Sequence, residues 1–388
     1  MRILAMTGSL HPIPGNNANL LLRLLPFLAK GNEVRLLSTA IYDQTAGLPN
    51  EIEGIPVYWV KRGAVSAIRR KFAFPAASKL LDPSGNSDLI NELYIRQTLR
   101  EIQKDYPYDA ILSSSEPYPA AATAASESAK KVLYLMDPPE RIQGKLGTQY
   151  RERTLDKVLR AQDCILTTPF IRDALTEHGM DFLREKIQPV GFPMIVERSA
   201  EGKKRTDNDG PIRLLFCGWM CSQLRSPQYF LDIVSRLDER FEVTFMGKEC
   251  EKLQERFPTK SKAALITLPN QPYDVALQAM ADADVLINIG NSVPVHMPSK
   301  TLEYINTGKP MVNFYKFETC PTLYYTKRYP LALNLSEAEK DLDAAAARFV
   351  RFCEETVGRT VERDFIEAEY ADCTPRYIAQ KILDNLEK

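Results

Sequence analysis

The sequence predicts an α/β chain of two doubly wound, Rossmann-like domains facing a central cleft, on three observations. Short apolar runs alternate with stretches of helical periodicity, which implies parallel sheets covered on both faces. A strand, a glycine-bearing loop and an amphipathic helix open the chain, and the same succession begins again at residue 212. Between the two copies lies Glu197 to Pro211, ERSAEGKKRTDNDGP, with no large apolar residue and much charge, Gly and Asn, as in an interdomain linker.

The elements follow in order. The first strand is Ile3 to Met6; the loop Gly8 to Asn17 then leads to a helix with Leu21, Leu24, Leu25 and Leu28 on one stripe. Gly31 and Asn32 offer its C-cap, and Val34 to Leu37 starts the next strand. Further strands are expected at Val57 to Val60, Ala110 to Leu112, Val132 to Met136 and Cys164 to Thr168. After the linker come the strand Ile212 to Phe216, Gly218, a loop through Arg225, and a helix opened by Ser226 and Pro227. Phe230, Ile233, Val234 and Leu237 form its stripe. Strands at Val243 to Met246, Ala264 to Leu268, Val285 to Ile289 and Met311 to Phe314 continue the alternation. A last helix, opened by Thr374 and Pro375, carries Ile378, Ile382 and Leu386 on one face. The expected domains are 1–196 and 212–373, joined by 197–211, with 374–388 packing back on the first. The pattern recurs with almost no recurrence of residues, so a solenoid array is excluded. Open α/β sheets bind ligands at the carboxyl ends of their strands, and two such sheets place the expected site between them.

Composition narrows the class. The chain has 388 residues with 50 basic and 50 acidic side chains, 44% apolar and 26% charged, which is ordinary globular usage. No apolar run approaches the roughly 18 residues of a membrane span, and the N-terminus, broken by Gly8, His11 and Pro12, does not read as a signal peptide. The 7 cysteines contain no C-x-x-C pair and read as reduced cytosolic thiols. His11, His178 and His296 are too widely separated in sequence to suggest a metal centre. Zero net charge argues against a dedicated nucleic-acid binder. Asp282-Ala283-Asp284 has the spacing of a cation-holding D-x-D, but it precedes a strand where such ligands are expected to follow one. No P-loop, zincin or nucleophile-elbow motif occurs.

The segment NSVPVHMPSKTLEYINTGKPMV, Asn291 to Val312, carries the most chemistry. Pro298, Ser299 and Lys300 stand where a helix should begin, and Gly308 with Pro310 ends it. A helix N-terminus with free N–H groups, a Ser hydroxyl and a Lys ammonium suits a diphosphate. Glu303, one turn further in, can accept hydrogen bonds from sugar hydroxyls. The same residues are also compatible with a plain amphipathic helix capped by Ser299.

P-S-K-x-x-E-Y-x-x-x-G-K-P after an A-D-V-L strand resembles the nucleotide-sugar-binding motif of retaining glycosyltransferases of the GT-B fold, in particular the family 4 group (glycosyl transferases group 1). The motif covers residues 291–312, while the domain pattern agrees over the whole chain. The resemblance implies a GT-B fold and metal-independent transfer, with retention, from a UDP- or GDP-sugar to a glycan or lipid-linked acceptor. No cofactor beyond that donor is implied. The start of the helix at Pro298, Ser299 and Lys300 then holds the donor diphosphate and Glu303 binds the ribose.

Other positions follow residue by residue. The loop Cys217 to Pro227 is similar to the family's glycine loop, with Gly218 allowing close approach and Arg225 reaching the phosphates; as a residue, Arg225 also suits a surface charge. Thr267 to Gln271 matches the base-contacting loop. Val295 stands where the family commonly has a second carboxylate, and the adjacent His296 is either a replacement polar contact or a solvated loop histidine.

In the first domain, DAILSSSEPYPAA resembles a D-hhh-x-x-H-E-P turn, with Ser115 at the His position. Glu116 is a candidate acceptor or donor-hydroxyl contact, or the N-cap carboxylate of the next helix. Asp137 is a second candidate carboxylate, and the loop with His11 and Gly15 resembles the acceptor-side loop, or is a tight turn. Front-face transfer lets the leaving phosphate assist deprotonation, so a protein base is not required. Lys61 to Lys79 carries six positive charges and no acid, which fits an anionic membrane surface or lipid-linked acceptor, or a solvated helix face. The expected location is cytoplasmic, with a peripheral place at the inner membrane face. Alternative readings are a non-catalytic GT-B partner subunit and a nucleotide-sugar epimerase.

Overall fold

The computed structural model describes residues 1–12, 14–62, 88–143, 149–197, 210–220, 224–258 and 260–387. It divides into two compact units, Met1–Pro193 with Asp372–Lys388, and Met194–Ala371. Most of the expected linker 197–211, and the basic stretch from residue 63 on, lie outside the described residues.

In the first unit, β1 (Arg2–Thr7), β2 (Glu33–Tyr42), β3 (Glu51–Ile52), β4 (Ile55–Lys61), β5 (Ala110–Ser114), β6 (Lys130–Leu135), β7 (Cys164–Thr167) and β8 (Ile187–Pro189) form one sheet. Its order is β3-β4-β2-β1-β5-β6-β7-β8, so the winding direction reverses between β1 and β5. All described pairings are parallel except β3 with β4, a hairpin whose turn residues Glu53 (φ 51) and Gly54 (φ 75) both have positive φ. The central strands read as continuous apolar runs because helices cover both faces: Ile3, Leu4, Ala5, Met6, Ile111 and Leu112 are fully buried.

Helices α1 (Asn16–Leu22), α2 (Leu25–Leu28), α3 (Asp88–Asp105), α4 (Tyr118–Ala124), α5 (Gln149–Arg160) and α6 (Pro169–Glu177) lie between the strands. The single helix expected across Leu21, Leu24, Leu25 and Leu28 is two. Pro26 has no N–H to give Leu22 and its ring crowds that carbonyl, so the chain turns at Arg23 and Leu24 while all four leucines stay buried.

The second unit pairs β9 (Ile212–Cys217), β10 (Phe241–Met246), β11 (Ala264–Leu268), β12 (Val285–Ile289), β13 (Met311–Tyr315) and β14 (Ala332–Ser336) in the order β11-β10-β9-β12-β13-β14, all parallel. Its helices are α7 (Gln228–Val234), α8 (Tyr273–Asp282), α9 (Lys300–Thr307), α10 (Pro321–Thr326), α11 (Leu342–Thr356) and α12 (Arg363–Glu369). An aromatic core of Phe230, Phe245, Phe314 and Phe349 holds α7 and α11 to the sheet, with Phe230 and Phe314 ring centres 5.2 Å apart. Strands β3, β8 and β14, at or next to sheet edges, escape the apolar-run pattern because they are short or half exposed.

The last helix, α13 (Pro375–Leu386), belongs to the first unit. Thr374 caps it by accepting the Tyr377 N–H at 3.3 Å, Ile378, Ile382 and Leu386 are buried, and Lys130 Nζ donates to the Leu386 carbonyl at 2.9 Å. Among the described residues no helix is long and apolar enough to cross a membrane.

Candidate functional site

In the second unit the strand order reverses between β9 and β12, and the polar residues of interest gather at the carboxyl ends of those two strands. Helix α9 starts there. Ser299 is its N-cap without a side-chain capping bond, and the first turn closes through Thr301 N–H to the Pro298 carbonyl and Leu302 N–H to the Ser299 carbonyl, both 3.1 Å. Thr301, Leu302, Tyr304 and Ile305 face the core, which leaves Lys300 and Glu303 together on the other face. They form an ion pair, with side chains 25% and 11% exposed. Burial opposes the Lys300 charge, but the Glu303 carboxylate keeps the ammonium above its ordinary pKa. Gly308 ends the helix in the left-handed conformation at φ 76.

Beside this helix, Gly218 donates its N–H to the Met246 carbonyl at 2.8 Å, and the loop after β10 closes tightly on it. A Cβ on Gly247 would stand 2.2 Å from the Gly218 carbonyl oxygen, so only glycine fits there. Arg225 lies over the same turn, with Nη1 4.0 Å from where a Cβ on Gly218 would be. His296 is fixed within its loop rather than loose in solvent: buried Asn291 donates through Nδ2 to its carbonyl at 2.9 Å, and that nitrogen stands 2.7 Å from the ring Nδ1. In the neutral ring this assigns the proton to Nε2. Thr267, still within β11 near its carboxyl end, donates its hydroxyl to Gln254 at 3.1 Å. Asp284 is held by Arg213 at the amino ends of β9 and β12, the opposite end of the sheet from α9.

In the first unit Glu116 and Asp137 line one cavity of about 30 Å³, room for about one water, together with Ser115, Glu140 and Arg151. Arg151 on α5 serves three carboxylates: Asp88 at 2.7 Å, Glu140 at 2.9 Å and Glu116 at 3.6 Å. Glu116 is not the N-cap of α4, a place taken by Pro117, but it accepts the N–H of the helix's first residue, Tyr118, at 3.2 Å while keeping 45% of its side chain open to solvent. Burial pushes its pKa up to about 7; Arg151 pulls it down, and Asp137 and Glu140 raise it. Asp137 accepts Asn17 Nδ2 at 2.9 Å. Ser115, in the position the family gives to His, is buried and accepts the Met136 N–H at 3.3 Å.

His11 is not brought into that cavity. Its ring lies edge-on to Trp59, centres 6.3 Å apart, and its carbonyl accepts the Tyr42 hydroxyl at 3.0 Å. A separate groove of about 300 Å³ opens at the ends of β1 and β2 between Ser9, Thr39, Ile41, Asn91 and Pro117. Asp88 and Arg151 escape the motif reading because neither belongs to a short local pattern whose chemistry is visible, and Tyr304, although it is the Tyr of the P-S-K-x-x-E-Y motif, shows no role there because its partner lies far away in sequence.

The Glu116 shift has a testable sign. Its pKa rises from 4.5 to about 7 in the fold, so the protonated form is favoured by folding, and the contribution is full below pH 4.5 and lost as pH rises through 7. Thermal melts should show a fall in Tm across this window that Glu116→Gln flattens, moderated by the carboxyl's solvent access. An identical pH dependence in the variant would contradict the placement of Glu116.

No protein-family model and no curated protein matches the sequence. Solved structures do match. The lipopolysaccharide outer core galactosyltransferase WaaB superposes at TM-score 0.63 with 11% identity, over 100% of this chain and 99% of that one. Anabaena HepE in complex with UDP and glucose superposes at 0.66 with 13% identity, again over 100% and 99%. WaaG, a glycosyltransferase involved in lipopolysaccharide biosynthesis, does so at 0.63 with 14% identity and the same coverage. With two parallel-sheet units and full-length superposition on these enzymes, the chain has the GT-B fold.

Proposed function

We propose that this chain is a glycosyltransferase that moves a sugar from a nucleotide diphosphate sugar to a glycan or lipid-linked acceptor, with retention and without a metal ion. The observation that carries the reading is the start of α9 at the switch point of the second sheet. Ser299 spends no hydroxyl bond on capping, Lys300 and Glu303 share one face, and Arg225 overlies Gly218 nearby. The N–H groups, ammonium and guanidinium supply the positive charge that a diphosphate leaving group requires, and Glu303 offers acceptors to ribose hydroxyls. HepE, similar in fold, was solved with UDP-glucose, which favours a uridine donor over a guanosine one.

Charge on the leaving phosphate grows as the glycosidic bond breaks, and on the same face that phosphate takes the acceptor proton. Glu116 and Asp137 then act as contacts to acceptor or donor hydroxyls, and His11 as part of the acceptor-side loop. His296, fixed by Asn291, then serves as a replacement polar contact to the donor. Lys61 and Arg62 with the basic residues that follow give the reading a membrane component, an anionic inner face near a lipid-linked acceptor.

A partner-subunit role draws on Ser115, whose hydroxyl is occupied by a backbone N–H, and on apolar Val295. A thermal-shift panel of UDP-, GDP-, ADP- and CMP-linked sugars separates the two. A ligand at 100 times its Kd should stabilise the fold by about 2.7 kcal/mol. A positive UDP or GDP arm followed by turnover supports transfer, interconversion of donor sugars marks an epimerase, and no shift with any donor supports the partner subunit.

A further inference from the structure

In the second sheet β9 and β12 pair only at Val285 with Leu214 and Leu286 with Leu215, whereas β9 stays paired with β10 as far as Cys217 with Met246. The strands thus part toward their carboxyl ends, and the Cys217 N–H and carbonyl on the β12 side have no strand to meet. The Tyr304 hydroxyl meets both: it accepts the Cys217 N–H at 2.8 Å and donates to the Cys217 carbonyl at 3.1 Å. Tyr304 is 1% exposed, and burial holds its pKa well above the ordinary value, so the hydroxyl keeps its proton.

Its helix is tied on the other side as well. Thr301 Oγ1 donates to Asn288 Oδ1 at 3.2 Å, Asn288 Nδ2 to Asn313 Oδ1 at 2.7 Å, and Asn313 Nδ2 to Asn334 Oδ1 at 2.8 Å, a polar ladder across β12, β13 and β14. Burying these groups among apolar neighbours costs free energy that a Phe and a Val would avoid, so the pairing specifies position more than it adds stability.

We propose that Tyr304 is a positioning residue for the donor site. Its hydroxyl ties the end of β9, and with it Gly218 and the Arg225 loop, to the helix that presents Ser299, Lys300 and Glu303, and so sets the spacing between the two phosphate-binding groups. The proposal rests on the donor reading above.

The test is Tyr304→Phe in the full chain, which keeps the ring and removes one oxygen. UDP and GDP binding is measured by calorimetry, and uridine and guanosine binding by NMR titration. The expected result is a loss of about 10-fold in diphosphate affinity, the effect of one misplaced charged contact, with nucleoside affinity unchanged. Thr301→Val should move diphosphate affinity the same way by less, and serves as the readout if Tyr304→Phe does not fold. Unchanged diphosphate affinity, or equal losses for diphosphate and nucleoside, overturns the proposal. The failure of the donor reading looks different: the unaltered protein itself binds neither UDP nor GDP.

Discussion

Replacing Lys300 with alanine should lower nucleoside diphosphate affinity by about 100-fold, the loss of one well-placed charge-assisted contact of about 2.7 kcal/mol. The ion pair with Glu303 makes the effect asymmetric. Without the ammonium, Glu303, only 11% exposed, keeps a negative charge one helical turn from the diphosphate position, and repulsion adds to the lost attraction. Glu303→Ala has the opposite electrostatic consequence: it removes acceptors for the ribose but releases Lys300 from its partner, so the expected loss is about 10-fold. The double variant should bind better than the product of the two losses, because deleting Glu303 relieves the repulsion that deleting Lys300 creates. Calorimetric titration with UDP and GDP at constant ionic strength reads all three. Wild-type affinity in Lys300→Ala would remove α9 from the donor site.

Most of the fold was legible because its signals are local. The strands Ala264–Leu268 and Val285–Ile289 are found where their apolar runs lie, and α9 begins at Lys300 and stops at Gly308 as its Pro, Ser and Gly dictate. The α1–α2 break was also written locally, in Pro26, but the regular leucine spacing on both sides of it outweighed that single residue. What sequence could not show are contacts made by topology. Cys217 and Tyr304 are 87 positions apart, and Asp88 and Arg151 63 apart. Nothing near either member says which backbone group or carboxylate it meets. Glu116 illustrates the intermediate case: its bond to the Tyr118 N–H follows from its place just before α4, while its raised pKa comes first from burial and then from Asp137 and Glu140 arriving from other elements, against the opposing pull of Arg151.

Arg151→Met should destabilise the first unit by about 3–5 kcal/mol, because it strands a buried carboxylate. Asp88 is 4% exposed on its side chain and takes two of the guanidinium's bonds, at 2.7 and 3.3 Å, while Arg151 itself is 15% exposed. A methionine fills the stem volume but offers no donor, so Asp88 must either take up a proton or draw in water, and both options cost free energy. For a unit of this size each kcal/mol corresponds to roughly 2–4 °C, giving a fall in Tm on the order of 10 °C by calorimetry. Two further variants separate charge from packing. Adding Asp88→Asn to Arg151→Met removes the stranded charge and should recover part of the loss, whereas Arg151→Lys keeps a positive group without the planar fork and should fall between. A Tm for Arg151→Met equal to that of the unaltered protein would show that the buried pair is not formed. The same substitution acts on Glu116. Of the two groups that lower its pKa, Arg151 and the Tyr118 N–H, Arg151 has the larger effect, so its removal raises that pKa further, and at neutral pH the carboxyl shifts toward the protonated form. A first unit that needs Glu116 ionised would then lose turnover at pH 7 and regain part of it as the pH is raised, a profile that instability alone does not produce.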